Sequence, residues 1–395
     1  MGYSLEGIRV LDLTRVLAGP YATMVLADLG ADVIKIEMPK TGDDSRQFGP
    51  YINNESAYFM SLNRNKRSMT LNLKEKKAKE LFLEMVKKAD VVVENYRPGT
   101  MEKLGLGYDV LKEVNPKIIY AASSGFGHTG PFSKRPAYDA IVQAMGGIMS
   151  ITGEKDGKPT RVGASIGDII AGLFTTIGIL SALRNLDKQG EGQKVDVAML
   201  DCQVAILENA IARYIVTGTP PRPGGNKHPS IIPFESFETK DGDVMIAAGN
   251  DNLWAKLCKG LKREELIDDK RFKTNPLRDE NYEALRPILA DAFKLNNTMQ
   301  WQKIFDDIGV PNSPINSVDK VLENPQVIAR DMIVEMKHPV AGTLKIPGIP
   351  IKLSATPGDI RMPAPILGEH TDEILKELLS YDDANISKLR EENIF

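Results

Sequence analysis

The 395-residue sequence predicts an α/β protein: a large domain on a doubly wound parallel sheet, plus a smaller α+β domain. Three observations predict it. Short β-branched runs alternate with apolar helical stretches through roughly the first 200 residues, the pattern of parallel strands joined by crossover helices. The cluster Thr219-Pro220-Pro221-Arg222-Pro223-Gly224-Gly225 fits neither a helix nor a strand interior and breaks that alternation. The composition, 42% hydrophobic and 26% charged, is that of an ordinary globular chain and excludes a disordered or collagenous protein.

Taken in order, Ile8-Arg9-Val10-Leu11-Asp12-Leu13 reads as the first strand, followed by a turn holding Gly19-Pro20. An apolar helix is predicted from Tyr21 to Leu29, ended by Gly30, with Val33-Ile34-Lys35-Ile36 as the next strand. A helix over Lys74–Lys88, strands at Val91–Val93 and Ile118–Ala121, a long helix from Asp168 to Leu186 and a strand at Lys194–Val197 complete the doubly wound set. Beyond the Pro-rich cluster, strand signals at Phe234–Phe237 and Val244–Ala247 precede amphipathic helices reaching Asp307. Short strands return from Ile333 to Ile351, and the tail is helical from Thr371. The predicted division is a large Rossmann-like domain over 1–216, a linker and small domain over 217–330, and a linker and C-terminal return to the large domain over 331–395.

Charge and cysteine usage narrow the function classes. Fifty basic residues against 53 acidic ones leave a net charge of −3 without long blocks of one sign, which argues against bulk attraction to nucleic acid or an anionic membrane. An anionic ligand then needs a local cluster of cations. Cys202 and Cys258 lack metal-ligand spacing, so a reduced, cytoplasmic setting and no metal site are expected, both thiols acting as small buried apolar groups. The start, Met1 to Gly7, has neither the basic nor the apolar stretch of a signal peptide. The uncharged run Ile169–Leu183 is short for a bilayer span and reads as a buried helix.

Several segments carry candidate chemistry. The turn Thr14-Arg15-Val16-Leu17-Ala18-Gly19-Pro20 has one glycine where a dinucleotide fingerprint needs three, so Glu37 at the second strand's end reads better as a solvated residue than as a ribose acceptor. Gly163-Ala164-Ser165-Ile166-Gly167 matches the G-x-S-x-G nucleophile elbow, with His338 or His370 to complete a hydrolase triad, although the strand before it is weak. Asp168 follows directly and reads from sequence as a helix N-cap whose flanking glycines admit a ligand. Asn95-Tyr96-Arg97-Pro98-Gly99 lies past the carboxyl end of a strand, where parallel sheets bind ligands, and Arg97, Lys103 and Lys74 are cations available to phosphates. In Ser124-Gly125-Phe126-Gly127-His128-Thr129-Gly130-Pro131, His128 is a turn residue or a catalytic one.

Together these segments resemble the family III CoA-transferases, named for carnitine and bile-acid CoA-transferases. The resemblance runs through Gly7–Thr14, Ala31–Glu37, Asn65–Ser68, Glu94–Gly99, Gly125–Pro131, Gly167-Asp168 and Leu367–Thr371. It implies that Asp168 is the catalytic nucleophile, displacing the Ser165 hydrolase reading, and that coenzyme A is a substrate with no further cofactor. It implies CoA contacts at Val16, Ala18, Leu71, Lys74, Asn95, Tyr96, Arg97, Lys103 and Tyr138, with Met38 where the family has a cation and Lys40 as its substitute. It also implies a substrate loop at Gly224-Gly225-Asn226 and an intertwined homodimer acting on an acyl-CoA and a small carboxylate. An aspartate of ordinary pKa, about 3.9, is ionised at neutral pH and is expected to need no base. Racemases of the same superfamily carry a histidine where this chain has Tyr138, and a phenol cannot replace an imidazole there; intact Asp168 argues against an inactive CoA-binding module. Gly42–Arg46, Phe48–Tyr51 and Ser123–Pro131 look most like acetyl-CoA-dependent oxalate transferases, while Leu17 and the short Gly224-Gly225 run disfavour formyl-CoA as donor. Gly225–Ser230, with Lys227 and His228, also resembles transferases passing CoA from succinyl-CoA to longer dicarboxylates such as glutarate.

Overall fold

A computed structural model describes residues 2–395. They form two compact units: the first comprises the chain up to Ile148, Arg161–Thr217 and Gln326–Phe395; the second comprises Met149–Thr160 and Gly218–Pro325. Residues 149–160, placed by the sequence reading in the large domain, belong with the second unit. There the Gly225 N–H donates to the Gly153 carbonyl at 3.0 Å and the Asp156 N–H to the Pro223 carbonyl at 3.2 Å.

The first unit is built on a six-stranded sheet, and its strands in chain order are β1 (Arg9–Asp12), β2 (Asp32–Glu37), β5 (Lys66–Thr70), β6 (Val91–Glu94), β7 (Ile119–Ser124) and β8 (Lys194–Ala198). A two-stranded hairpin, β3 (Tyr51–Ile52) and β4 (Glu55–Ser56), stands apart from it. The order across the sheet is β5-β2-β1-β6-β7-β8 and every pair is parallel, with Leu11 facing Ile34 on one side and Val92 on the other. Alternate residues feed opposite cores: Leu11, Ile34, Val92 and Tyr120 one face, Val10, Val33, Val91, Val93 and Ile119 the other. Both faces being covered, the strands read as continuous apolar runs instead of alternating ones. Each such side chain, fully buried, contributes roughly 1.5–3 kcal/mol. The strand order reverses between β1 and β6, and ligands of such sheets bind beyond the strand ends at that crevice.

Helix α1 (Ala18–Asp28) starts earlier than expected: Gly19 and Pro20 lie inside its first turn, where proline is tolerated because no intrahelical partner awaits its missing N–H. Three more helices bear on the site: α2 (Ala57–Leu62), α3 (Asp139–Met145) and α4 (Ile166–Gln189). Helix α4 has 24 residues, longer than its uncharged run suggested, and by length and composition alone would suffice for a membrane span. It packs along α1 at Gly172, where an added Cβ would come within 2.7 Å of the Ala18 carbonyl oxygen. Strand β5 escaped the sequence reading because Lys66, Arg67 and Ser68 carry no apolar signal. Each is buried by pairing, Lys66 with Asp12, Arg67 with Asp32 and Ser68 with Glu37. The helix Thr371–Leu379 covers that edge, Thr371 accepting from the Thr70 N–H at 3.2 Å. A further antiparallel pair, β12 (Ile333–His338) and β13 (Gly342–Pro347), belongs to the same unit.

The second unit is α+β. Its sheet, β9 (Phe234–Glu238), β10 (Asp243–Ala247) and β11 (Asn312–Pro314), is antiparallel in the order β11-β10-β9. Helices Asp251–Gly260, Tyr282–Phe293 and Thr298–Ile308 pack around an aromatic core in which Phe237 stacks on Phe293 at 4.5 Å and Trp301 on Phe305 at 5.3 Å.

Candidate active site

The site begins at the N-terminus of α4. Ser165 occupies the cap position without a side-chain hydrogen bond, and Asp168 lies in the first turn. Asp168 is therefore not the N-cap expected from sequence. Its carboxylate accepts no hydrogen bond from any described residue, so it is held by its backbone and left open to a ligand. Gly167 explains how the backbone is placed. The Gly167 N–H donates to Asp139 Oδ1 at 2.8 Å, while Asp139 Oδ2 accepts from Gln143 Nε2 at 2.8 Å. A Cβ on Gly167 would meet Val142 Cγ2 at 2.8 Å and Asp139 Oδ1 at 3.0 Å. The glycine thus permits the close approach of α3 to α4 that sets Asp168 in position.

That approach changes the acidity of Asp168. Burial, and then the negative charge of Asp139, push the Asp168 carboxyl up to about 7. Helix N-termini stabilise carboxylates by only about 0.3–1 kcal/mol, less than one pKa unit, so burial and repulsion win. The expectation of an ordinary carboxylate is corrected: near neutrality Asp168 is divided between acid and carboxylate. If it attacks as the carboxylate, kcat/KM for the donor should fall about tenfold per unit of pH below ~7. Asp139→Asn, which removes the repelling charge, should move that limb to lower pH. A profile flat between about pH 5.5 and 8 would count against the raised acidity limit at Asp168.

Tyr58 is the residue the sequence reading missed. It lies in α2, whose cap Ser56 accepts from the Phe59 N–H at 3.1 Å, a Ser before a short apolar helix being the available signal. Burial and the charges of Asp168, Asp43 and Asp139 push its phenol up to about 12, so it remains a neutral donor. Its ring meets Phe48 edge-on at 5.7 Å. Tyr138, the residue before α3, is 76% exposed.

At the β1–β6 crevice the structure joins two of the expected segments. Asn95 accepts from the Arg15 N–H at 2.9 Å and donates to the Arg15 carbonyl at 2.8 Å, tying the β6 end to the turn that holds Val16 and Ala18. Tyr96 is partly buried against the core, and Glu94 accepts from its N–H at 2.7 Å. Lys74, Arg97 and Lys103 are exposed and form no ion pair among the described residues. Leu71 is a buried core residue, and Met38 and Lys40 are exposed after β2. Glu37 is buried and pairs with Arg46 at 2.8 Å, which corrects its reading as a solvated strand end. His128 Nδ1 lies 2.9 Å from Lys194 Nζ.

The hydrolase constellation does not assemble. No strand leads directly into Ser165: between β7 and α4 the described residues form only helices, Asp139–Met145 and Ile148–Ile151. His338 Nδ1 accepts from the Val340 and Ala341 N–H groups and His370 Nδ1 from the Ser68 N–H. Gly224, Gly225 and Asn226 lie in the second unit, Asn226 donating to Ser236 Oγ at 2.9 Å and Gly225 at φ 63, a conformation that suits glycine. In the same unit Lys227 is committed to Asp279 at 3.4 Å and to the face of Tyr282 at 4.4 Å, and His228 stacks on Phe234. Among the described residues no group of three or more His, Cys, Asp or Glu is gathered to hold a metal, and both cysteines are free and buried.

The sequence model of CoA-transferase family III matches residues 5–371. The chain belongs to CoA-transferase family III. It is 43% identical over 386 residues to the human succinyl-CoA:glutarate CoA-transferase, spanning 98% of this chain and 88% of that one. It is 44% identical to the acetyl-CoA:oxalate CoA-transferase of Acetobacter aceti, spanning 94% and 95%. Among solved structures, a CaiB/BaiF family protein from Brucella suis superposes with a TM-score of 0.85 at 39% identity, covering 96% of this chain and 100% of that one. The protein is thus a CoA-transferase, and in this family III chain the Gly167-Asp168 pair lies at the N-terminal turn of α4.

Proposed function

We propose that this CoA-transferase moves CoA from an acyl-CoA donor to a small dicarboxylate through covalent intermediates on Asp168. The observation that carries the reading is a carboxyl raised to about 7 and fixed on the first turn of helix α4 beside Gly167. In the first step the Asp168 carboxylate attacks the donor thioester carbonyl, forming a mixed anhydride and expelling CoA thiolate. The thiolate then attacks the aspartyl carbonyl, giving an aspartyl-CoA thioester and releasing the donor acid. The acceptor carboxylate attacks this thioester and again expels thiolate. Thiolate attack on the acceptor's carbonyl yields the new acyl-CoA and restores Asp168. Backbone N–H groups suit each oxyanion, and exclusion of water protects the anhydrides. Val16, Ala18, Leu71, Asn95, Tyr96 and Tyr138 are the proposed CoA contacts, with Lys74, Arg97 and Lys103 as cations for its phosphates.

Acetyl-CoA and oxalate are the first proposed pair, supported by the Acetobacter relative. Succinyl-CoA and glutarate are the second, supported by the human relative and by an Agrobacterium fabrum succinate–glutarate CoA-transferase at 42% identity. Oxalate is short enough for backbone donors alone to hold its far carboxylate, whereas glutarate needs a charged side chain as well. Oxalate is therefore expected to exceed acetate, propionate and glutarate in kcat/KM by at least about tenfold. A screen of acetyl-, succinyl- and formyl-CoA against these acids tests it, and a lead for glutarate or succinate moves the assignment to the longer dicarboxylates.

The proposed assembly is an intertwined homodimer. In the first unit Leu173, Phe174 and Ile177 on α4 stand exposed, as do Ile215 and Val216 at 74% and 84%. Soluble monomers rarely leave so many large apolar groups in water. Sedimentation at micromolar protein should show a dimer that persists on dilution; a monomer overturns this assembly.

A further inference from the structure

Val16 lies at φ 68, in the left-handed region. For a β-branched residue this is a real strain, and such strain persists only where the surroundings over-determine it. Here side chains from three other segments grip the turn one residue at a time. The Asp12 carboxylate accepts from the Thr14 N–H at 2.8 Å, and Lys35 Nζ donates to the Thr14 carbonyl at 2.8 Å. Asn95 brackets Arg15, as described above. Asp43 Oδ1 accepts from the Val16 N–H at 3.0 Å and also from the Ser45 N–H and hydroxyl at 2.9 and 2.7 Å. The second oxygen of Asp43 lies 2.8 Å from Lys35 Nζ, in a pair whose side chains are 0% and 1% exposed.

A buried ion pair is a weak source of stability, because desolvation offsets its attraction. What this pair does is specific: its two members hold the two ends of one three-residue turn, Thr14 and Val16. Burial opposes both charges, but their mutual attraction outweighs it, holding Asp43 well below and Lys35 above their usual ranges, so the pair stays charged. The turn also touches the nucleophile's helix, since the Ala18 carbonyl packs on Gly172, one turn beyond Asp168. Tyr58 feels the charges of both Asp43 and Asp168.

We propose that the buried Lys35–Asp43 pair is a positioning device for the acyl-CoA substrate, holding the strained Val16 turn in the left-handed form that presents Val16 and Ala18 to the thioester arm of CoA. The proposal rests on the reading above that this turn contacts CoA. Lys35 and Asp43 act through the backbone of Thr14 and Val16 and are positioning residues. Without them the turn relaxes toward ordinary φ values, and substrate binding has to restore its shape.

The test compares CoA affinity by calorimetry, steady-state kinetics and thermal midpoint in the full-length protein. Asp43→Asn should raise the Kd for CoA and the KM for acyl-CoA roughly tenfold, the scale of one strained residue, with kcat changed less than about threefold. In a Val16→Gly background, which relieves the strain in both arms of the comparison, adding Asp43→Asn should change Kd and KM less than about twofold, because glycine adopts a positive φ without needing to be held. The double variant Lys35→Met with Asp43→Asn leaves no unpaired buried charge, so it should fold and show the same weakened binding. Asp28→Asn, which breaks an equally buried pair with Arg64 (2.6 Å, both 4% exposed), should lower the thermal midpoint and leave KM unchanged. Wild-type KM and Kd in both Asp43 variants, or an Asp43→Asn effect as large in the Val16→Gly background as in the wild type, would overturn the proposal. Failure of the wild type itself to bind CoA would overturn the site reading beneath it.

Discussion

Asp168→Ala is expected to lower CoA transfer by at least about a thousandfold in kcat while CoA binds within a few-fold of the wild-type affinity. The substitution removes the only group proposed to form covalent intermediates and leaves the strand ends around Asn95 and Val16 intact. Turnover in hydroxylamine should convert Asp168 of the wild type to its hydroxamate, visible by mass in the corresponding peptide. Ser165→Ala, at the cap position, should keep most activity; the reverse outcome in this pair would return the assignment to a serine hydrolase. Stability separates this loss from unfolding. The folded-state pKa of about 7 stands above the ordinary 3.8, so folding favours the protonated form. The stability linked to that proton is present below pH 3.8 and is lost as pH rises through 7. At pH 8 the inactive Asp168→Ala should therefore melt no lower than wild type, a stability–activity trade-off at the nucleophile.

Gly167→Ala is the second large effect, and it involves no reacting group. The new methyl would lie 2.8 Å from Val142 Cγ2 and 3.0 Å from Asp139 Oδ1. Helices α3 and α4 must separate, at a cost of about 1–3 kcal/mol in folding stability. The Gly167 hydrogen bond to Asp139 weakens, and the adjacent nucleophile shifts. A displacement of about 1 Å at a reacting group costs roughly a hundredfold in rate, and a loss of that size is expected in kcat/KM. Gly163→Ala provides the control, since a Cβ there meets nothing within 4 Å. Equal activities in the two alanine variants would show that close packing at Gly167 does not place Asp168.

Strand β5 and the acidity of Asp168 mark the boundary between the legible and the hidden. Runs such as Val91–Val93 announce buried strands because their own side chains supply the driving force for burial. Lys66-Arg67-Ser68 forms a strand equally buried, but only because Asp12, Asp32 and Glu37 arrive from other strands to pair with it. Nothing local encodes that arrival. Tyr58 was missed for the same reason: its place near Asp168 is set by α2 and α4, far apart in the chain.

By itself the sequence determined the alternating α/β architecture, the smaller α+β unit, the absence of a dinucleotide fingerprint and, through the ordered segments from Gly7 to Thr371, the transferase family. Hydrophobic period, turn residues and short motifs are properties of neighbouring residues, so they survive in one dimension. Only the tertiary structure decided that Asp168 sits inside the first turn and not at the cap, that burial and then Asp139, held against Gly167, raise its carboxyl to about 7, and that Lys35 and Asp43 grip the strained turn at Val16. Each of these depends on charge and contact between residues distant in sequence. Electrostatic energy follows separation and burial in space, and the order of residues along the chain does not state either.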